Sequence, residues 1–338
     1  MKKITIKDVA REAGVSVTLV SFVMNAKVGK DGRLDCPVNP ETAARVLKVA
    51  KKLGYRRNVA AASLRSGRSN TIAVITTDIS NKFFAGISRY IEDKSLQYGY
   101  TVLFGSSDEK AEKLNAMMDT VLAYNIDGVI VAPVTGGRDA IQKALDAKVP
   151  VVLLDRDMDG VSGVGKVLLD DVAAGRTATE LLLEKGYRRI EMISYTLGIS
   201  SLTEREAGYR AAMSEKGLEK QTKVHTTTYG SAREEIVEII RSAVKRGVEA
   251  LFIPTYTLSA TVLSIIKELK LEVPKDIAIV AFDESDVYGL YETSIAHIVQ
   301  PLRSLGEKSV EILHDMIEHN PGETTIILKP ELVIGESV

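Results

Sequence analysis

One cysteine in 338 residues, Cys36, cannot form an internal disulfide, so a reducing compartment is the natural home of this chain. Histidine is nearly as scarce. His225, His297, His314 and His319 show no metal-ligand spacing with acidic partners. Long apolar runs are missing as well: "IAVI", "GVIVAP" and "VVLL" each break within a few residues, far short of a membrane span. The opening "MKKITIKDVA" has no apolar stretch of secretory-signal length before Asp8. No G-x-S-x-G occurs, so covalent acyl chemistry has no motif here. "GVSGVGKV" at 160–167 has the glycine and lysine spacing of a phosphate-binding loop, but Val167 replaces the required Ser or Thr. The following "VLLDDVAAG" reads as a strand, whereas such a loop needs a helix N-terminus to hold phosphate. These absences predict a cytoplasmic chain that is not an enzyme, binds no metal or cofactor and does not enter a membrane.

What is present is an uneven charge. Residues 1–69 hold fifteen Lys and Arg against five Asp and Glu, whereas the remainder holds 29 against 40. A strongly basic small module on an acidic body fits a nucleic-acid-binding head on a domain kept away from the polyanion.

The basic segment has helical punctuation. Thr5 and Asp8 resemble an N-cap with an acidic first turn, and Val9, Ala10 and Ala13 fall on one helical face. Gly14 can end that helix in a left-handed conformation, and Ser16 can cap the next. The second helix buries Val20 and Val23 or Met24 and turns Val17, Thr18, Ser21 and Phe22 outward. Two short helices joined through "GVS" form a helix-turn-helix, whose second member lies in the major groove. Asn39 and Pro40 open a third helix with Val46, Val49, Ala50 and Leu53 as its stripe, and Gly54 stops it. "VAAASLRSGRS" would make a further helix of about seven residues, too short to be stable alone in water.

At this point the chain resembles the lac repressor (LacI/GalR) family of bacterial transcription regulators. The likeness rests on "TIKDVAREAGVSVTLVSFVMN" and "LGYRRNVAAASLRSGRSNTIAVI". It continues through "DISNKFF", "GVIVAP", "PVVLLDRD", "RRIEMIS", "EREAGYRAAM", "VPKDIAIVAFDES" and "VQPLRSLGEKSVEIL", in family order over essentially the whole chain. The resemblance implies a helix-turn-helix head at 1–57, a hinge helix at 58–69 and an effector-binding and dimerisation body at 70–338. It places DNA contacts at Thr5, Ser16, Val17, Thr18, Ser21, Phe22, Asn25, Arg57, Asn58, Ala61 and Leu64, the last as an apolar wedge in the minor groove. Three departures stand out. Phe22 replaces the usual guanine-reading arginine, Arg57 replaces a proline, and "AKVGKDGRLDCPV" lengthens the connection to the third helix. Lys27, Lys30 and Arg33 in it either reach extra phosphates or sit on a solvated loop. Because apolar side chains read thymine through its C5 methyl, Val17 and Phe22 should favour A·T pairs.

In the body, β-branched runs ("TIAVIT", "YTVLFGS", "GVIVAP", "VPVVLLD", "IEMIS", "ALFIP", "IAIVAFD") alternate with amphipathic helices. That pattern indicates parallel sheets covered on both faces, in two doubly wound clusters. By resemblance these form a periplasmic-binding-protein-like clamshell crossed near Val167, His297 and Leu328. Its N-subdomain then takes about 70–167 and 298–328, and its C-subdomain about 168–297 and 329–338. Ligands in such sheets bind beyond the strands' carboxyl ends. Reading those ends gives Asp78, Asp155, Arg156, Thr255, Tyr256 and Asp283, with Phe83 and Phe84 opening the first helix and Arg205 in "TEREAGYR". The resemblance adds Tyr229 and Gln300. Carboxylates, guanidinium groups and rings suit a carbohydrate or a carbohydrate-derived effector. Thr255-Tyr256 stands where the family has Asn-Asp, which shifts the expectation toward a larger glycoside or a sugar acid, the latter leaning on Arg156 or Arg205.

The expected molecule is a homodimer on a pseudo-palindromic operator of double-stranded DNA, acting as a repressor. "ELVIGESV" offers no heptad tail for a tetramer. Two other readings stay open: a ligand-independent architectural protein on DNA, and a regulator answering a non-sugar metabolite.

Overall fold

Apolar residues three and four apart build three helices at the start of the chain: α1 (Ile6–Ala13), α2 (Val17–Asn25) and α3 (Pro40–Leu53). The computed structural model describes residues 4–28, 34–55, 67–230, 233–320 and 322–338. It separates a head, 1–69, from a body, 70–338. In the head, Val9, Ala13, Val20, Val23, Val46 and Ala50 close one small core, joined by Ala43. Val49 and Leu53 are only half-buried. Thr5 N–H and Oγ1–H both donate to Asp8 Oδ2, at 3.0 and 2.7 Å, fixing the start of α1. Gly14, at φ 65°, ends it, and Ser16 Oγ accepts from Leu19 N–H at 3.2 Å to start α2. Asn39 and Pro40 open α3. The lengthened connection is partly structured: β1 (Lys27–Val28) pairs antiparallel with β2 (Leu34–Asp35). Lys30, Arg33, Arg57, Asn58, Ala61 and Leu64, and with them residues 58–66 of the expected hinge helix, lie outside the described residues. Residues 67–69 are not helical.

The body holds two six-stranded sheets. The N-lobe sheet contains β3 (Thr71–Thr76), β4 (Thr101–Ser106), β5 (Gly128–Val131), β6 (Val151–Leu154), β7 (Gly165–Leu169) and β13 (Thr325–Leu328). Its order is β13-β7-β6-β5-β3-β4. The C-lobe sheet contains β8 (Ile190–Tyr195), β9 (Lys223–Thr227), β10 (Ala250–Phe252), β11 (Ala278–Phe282), β12 (Ala296–Val299) and β14 (Glu331–Val333). Its order is β14-β12-β11-β10-β8-β9. The continuous apolar runs follow from burial on both faces. In β3, Ile72 and Val74 enter one core while Ala73 and Ile75 enter the other. In β11, Val280 and Phe282 face one side and Ile279 and Ala281 the opposite one.

The N-lobe helices are α4 (Lys82–Gln97), α5 (Ala111–Ala123), α6 (Arg138–Asp146) and α12 (Leu302–Ile317). Those of the C-lobe are α7 (Asp171–Glu184), α8 (Ser200–Glu215), α9 (Arg233–Lys245), α10 (Tyr256–Glu268) and the short α11 (Asp286–Gly289). Two sequence expectations are corrected. "VLLDDVAAG" is not one strand: β7 stops at Leu169 and α7 begins at Asp171, with Asp170 Oδ1 accepting from Ala173 N–H. The first two crossings also fall two residues beyond Val167 and His297, because β7 runs on to Leu169 and β12 to Val299. The third follows Leu328, where β13 ends.

Candidate functional site

The carboxyl ends of both sheets converge on one cleft. Asp155 follows β6 and Asp283 follows β11, and both take the left-handed backbone, at φ 70° and 64°. A non-glycine residue adopts that conformation at a cost and only where its surroundings hold it there. Here each amide continues the ladder, Asp155 N–H to Val167 O at 3.0 Å and Asp283 N–H to Ile298 O at 2.8 Å. The side chains are thereby turned off the strand and toward the space between the lobes.

That space is lined by Phe83, Phe84, Asp155, Arg156, Arg205, Tyr229, Thr255, Tyr256, Asp283 and Gln300. Ten of the eleven effector positions expected from sequence therefore share one wall. Asp78 does not. Its Oδ1 accepts from Ser80 N–H and Oγ–H at 2.8 and 2.6 Å, which closes the turn into α4, and Tyr229 OH donates to its Oδ2 at 3.3 Å. Thr255 also has a local duty, since its Oγ1 accepts from Leu258 N–H as the N-cap of α10.

Arg156 is clamped. Its Nη1 and Nη2 each reach Glu109 at 2.8 Å, and Nη1 also donates to Pro133 O at 3.2 Å. Burial works against the Arg156 charge, and pairing with Glu109 outweighs it, holding the guanidinium above its usual range. Arg205 is clamped in the other lobe. Its Nε donates to Asp171 Oδ1 at 2.6 Å and its Nη1 to Pro254 O at 2.7 Å, and it lies 3.8 Å over the Phe282 ring. Two glycines make this pairing geometrically accessible. A Cβ on Gly175 of α7 would stand 2.0 Å from Arg205 O, and one on Gly208 of α8 would stand 2.1 Å from Val172 O. Only glycine lets the helices approach closely enough to bring Asp171 to Arg205.

Asp283 Oδ1 accepts from Gln300 Nε2–H at 2.8 Å and Oδ2 from Tyr256 N–H at 3.1 Å. Burial, opposed by Arg205, raises Asp283 to about 6 and Asp171 to about 7, and burial raises Asp155 too. Three buried polar atoms find no hydrogen-bond partner among the described residues around this cleft: Asp155 Oδ1, Gln300 Oε1 and Arg156 Nε. The lobes meet across the cleft through Thr135 Oγ1 and Leu197 O, Asp157 N–H and Ser200 Oγ (2.7 Å), and Lys82 with Asp286 (2.7 Å).

Sequence reasoning missed Glu109, Asp171 and Tyr195. Glu109 obeys the strand-end rule, three residues beyond β4, but it sits in a polar stretch with nothing to single it out. Asp171 lies beneath the wall and shows itself only through Arg205. Tyr195 packs edge-on against Tyr229, 5.1 Å between ring centres.

In the head, α2 exposes Val17, Thr18, Phe22 and Asn25, with Ser21 half-exposed. Phe22 is 49% exposed and takes no part in the head core. The helix carries no charged residue. Thr5 and Ser16 spend their side chains on caps, and Asn25 Nδ2–H donates to Ser21 Oγ at 3.0 Å. Among the described residues no group of three or more His, Cys, Asp or Glu side chains is placed to hold a metal, and no helix is long and apolar enough to cross a membrane.

Residues 5–58 match the model for bacterial regulatory proteins of the lacI family, and residues 72–321 match a periplasmic binding protein domain. The catabolite control protein A of Priestia megaterium is 28% identical over 98% of this chain and 97% of its own. A transcriptional regulator CelR solved as a cellobiose complex is 25% identical, with TM-score 0.70 over 99% of this chain and 100% of that one. The lac repressor dimer bound to operator and an anti-inducer superimposes at TM-score 0.82 over 99% of both chains, with 22% identity, a likeness of fold.

Proposed function

The chain belongs to the LacI family of bacterial transcription regulators, and from that premise we propose how its own residues divide the work. It is a DNA-binding regulator, not an enzyme. In our reading it is a cytoplasmic homodimer in which α2 enters the major groove of each operator half-site. Val17 and Phe22 face thymine methyls there, and Thr18, Ser21 and Asn25 make short polar contacts. Affinity comes mainly from the lysines and arginines of the head on phosphate. For the dimer, the supporting feature is β4, an outer strand of the N-lobe sheet that leaves Leu103 and Phe104 exposed at 39% and 38%.

The effector reading rests on one observation above all: Asp155 and Asp283, each held in a left-handed turn at a strand end, face the same cleft with aromatic rings beside them. Carboxylates take sugar hydroxyls as donors, and Phe83, Phe84 and Tyr256 offer faces to the apolar side of a sugar ring. A polar hollow lined by Thr135, Arg138, Asp159, Thr203 and Glu204 adjoins the cleft at Arg156 and Ile199. It leaves room for a second unit, in keeping with a glycoside. A ligand that bridges the lobes favours one lobe geometry over the other, and the head's DNA affinity shifts with that preference.

A thermal-shift screen of mono- and disaccharides, followed by operator titration with each hit, tests this reading. A stabilising sugar that changes operator affinity at least about fivefold is expected. A ligand that binds without altering DNA affinity leaves an architectural protein with an incidental pocket.

A further inference from the structure

The cleft is short of positive charge. Four buried carboxylates, Glu109, Asp155, Asp171 and Asp283, surround two buried guanidinium groups, Arg156 and Arg205. Both arginines already have partners. Arg156 is held by Glu109 through two bonds, and its Nε lies 3.3 Å from Asp155 Oδ2. Arg205 spends Nε and Nη1 on Asp171 and Pro254. An incoming carboxylate or phosphate would have to compete with carboxylates that are covalently in place. Two of the orphaned buried atoms in the wall, Asp155 Oδ1 and Gln300 Oε1, are acceptors, on side chains only 5% and 4% exposed. They call for a ligand that donates hydrogen bonds, whereas the third orphan, the donor Arg156 Nε, already faces Asp155 Oδ2 at 3.3 Å.

From this arrangement, and resting on the effector reading above, we infer that the cleft recognises an aminated sugar: its ammonium group meets the unpaired Asp155 oxygen, and the acid and phosphate forms of the same skeleton are turned away. The expectation of a sugar acid leaning on Arg156 or Arg205 is thereby reversed. An ammonium is a compact charge with three donors, and at Asp155 it would relieve the carboxylate excess while satisfying the orphaned acceptor. The raised protonation of Asp171 and Asp283, caused first by burial and opposed by Arg205, is what an under-compensated carboxylate cluster produces. Burying an anion beside it would add repulsion in a low-dielectric space.

Isothermal titration with matched sets tests the inference: glucose, glucosamine, glucuronate and glucose 6-phosphate, the galactose counterparts, and cellobiose beside the disaccharide of glucosamine. The amine of at least one set should bind at least tenfold more tightly than its neutral parent, with the acid and phosphate undetectable. Asp155→Asn should weaken the amine at least tenfold more than the neutral sugar and so erase the amine preference. Asp171→Asn, which changes the charge without touching the ligand, should reduce the preference part of the way and so separates field from contact. An acid or phosphate that binds as well as the amine overturns the inference, as does a neutral sugar that equals it; both results leave the effector reading intact. Failure of every member of every set overturns the carbohydrate reading and this inference with it.

Discussion

Asp155 and Asp283 leave the third strand of two sheets with the same strand order, in the same left-handed conformation, but their neighbours differ. Asp155 sits beside an arginine that its own lobe has already neutralised through Glu109, and one of its oxygens is unpaired. Both oxygens of Asp283 are occupied, by Gln300 on the crossing after β12 and by the amide that opens α10. The repeat thus supplies one strand-end geometry for two tasks. The N-lobe presents a free acceptor in a rigid seat. The C-lobe ties its carboxylate to the segment that joins the lobes, so that a ligand held there bears directly on the crossing.

The largest effect should come from breaking the N-lobe seat. Arg156→Ala leaves Glu109 and Asp155 buried without a cation and should destabilise the body by about 3–5 kcal/mol. The corresponding removal of Glu109 should be milder, because Asp155 still faces the guanidinium. Equal melting temperatures for Arg156→Ala and the parent would show that the clamp is not structural.

Next in size is a pH effect. Asp171 titrates at about 7 in the fold against an ordinary 3.8, with burial as the leading cause. The native state therefore holds a proton that the unfolded chain gives up, so this stabilisation is complete below the unfolded value and is lost as pH rises through about 7. Thermal unfolding of the ligand-free protein from pH 5 to pH 8 should show stability falling by a few kcal/mol at most, since each tenfold difference in proton affinity between the two states is worth roughly 1.4 kcal/mol. Asp171→Asn should flatten that slope, and an unchanged slope would place the titration elsewhere.

Ligand affinity distinguishes the two lobes further. Asp155→Ala should weaken the effector by about 1.5–3 kcal/mol, the range for a charge-assisted hydrogen bond. Asp283→Ala should weaken it as well and should also release Gln300, which would appear as faster hydrogen exchange along the second crossing. Such loosening with Asp155→Ala instead would reverse the assignment of seat and coupler.

Features with a local signal could be read from the residues alone. Runs such as "VVLLD" and "IAIVAFD" are apolar because both sheet faces are covered, so each strand end, and with it Asp155 and Asp283, stood out in the sequence. The pairing of Arg156 with Glu109 spans 47 positions, and that of Arg205 with Asp171 depends on two helices meeting at Gly175 and Gly208. No periodicity reports such contacts. The boundary at β7 was misplaced because Val167, Leu168 and Leu169 carry the same apolar signal, and an Asp pair can end a strand or cap a helix. The ribbon of β1 and β2 was missed for another reason: two residues on each side are too few to show alternation.

The smallest expected effect lies in the head. Phe22→Ala should cost about 1–3 kcal/mol of base discrimination at one half-site position, with non-specific affinity unchanged. A selection experiment that returns the same site preference for the variant would reduce Phe22 to an exposed apolar residue with no reading role.

Control of the head by the asymmetric cleft can be measured by fluorescence anisotropy of a labelled operator duplex titrated with protein, at fixed salt, with and without a saturating effector. Wild type should change operator affinity at least about fivefold on adding ligand. Asp155→Ala should match its ligand-free affinity and need at least about tenfold more ligand for the same response. A variant that still responds like wild type, or a wild type whose ligand binds with no change in operator affinity, would contradict this coupling.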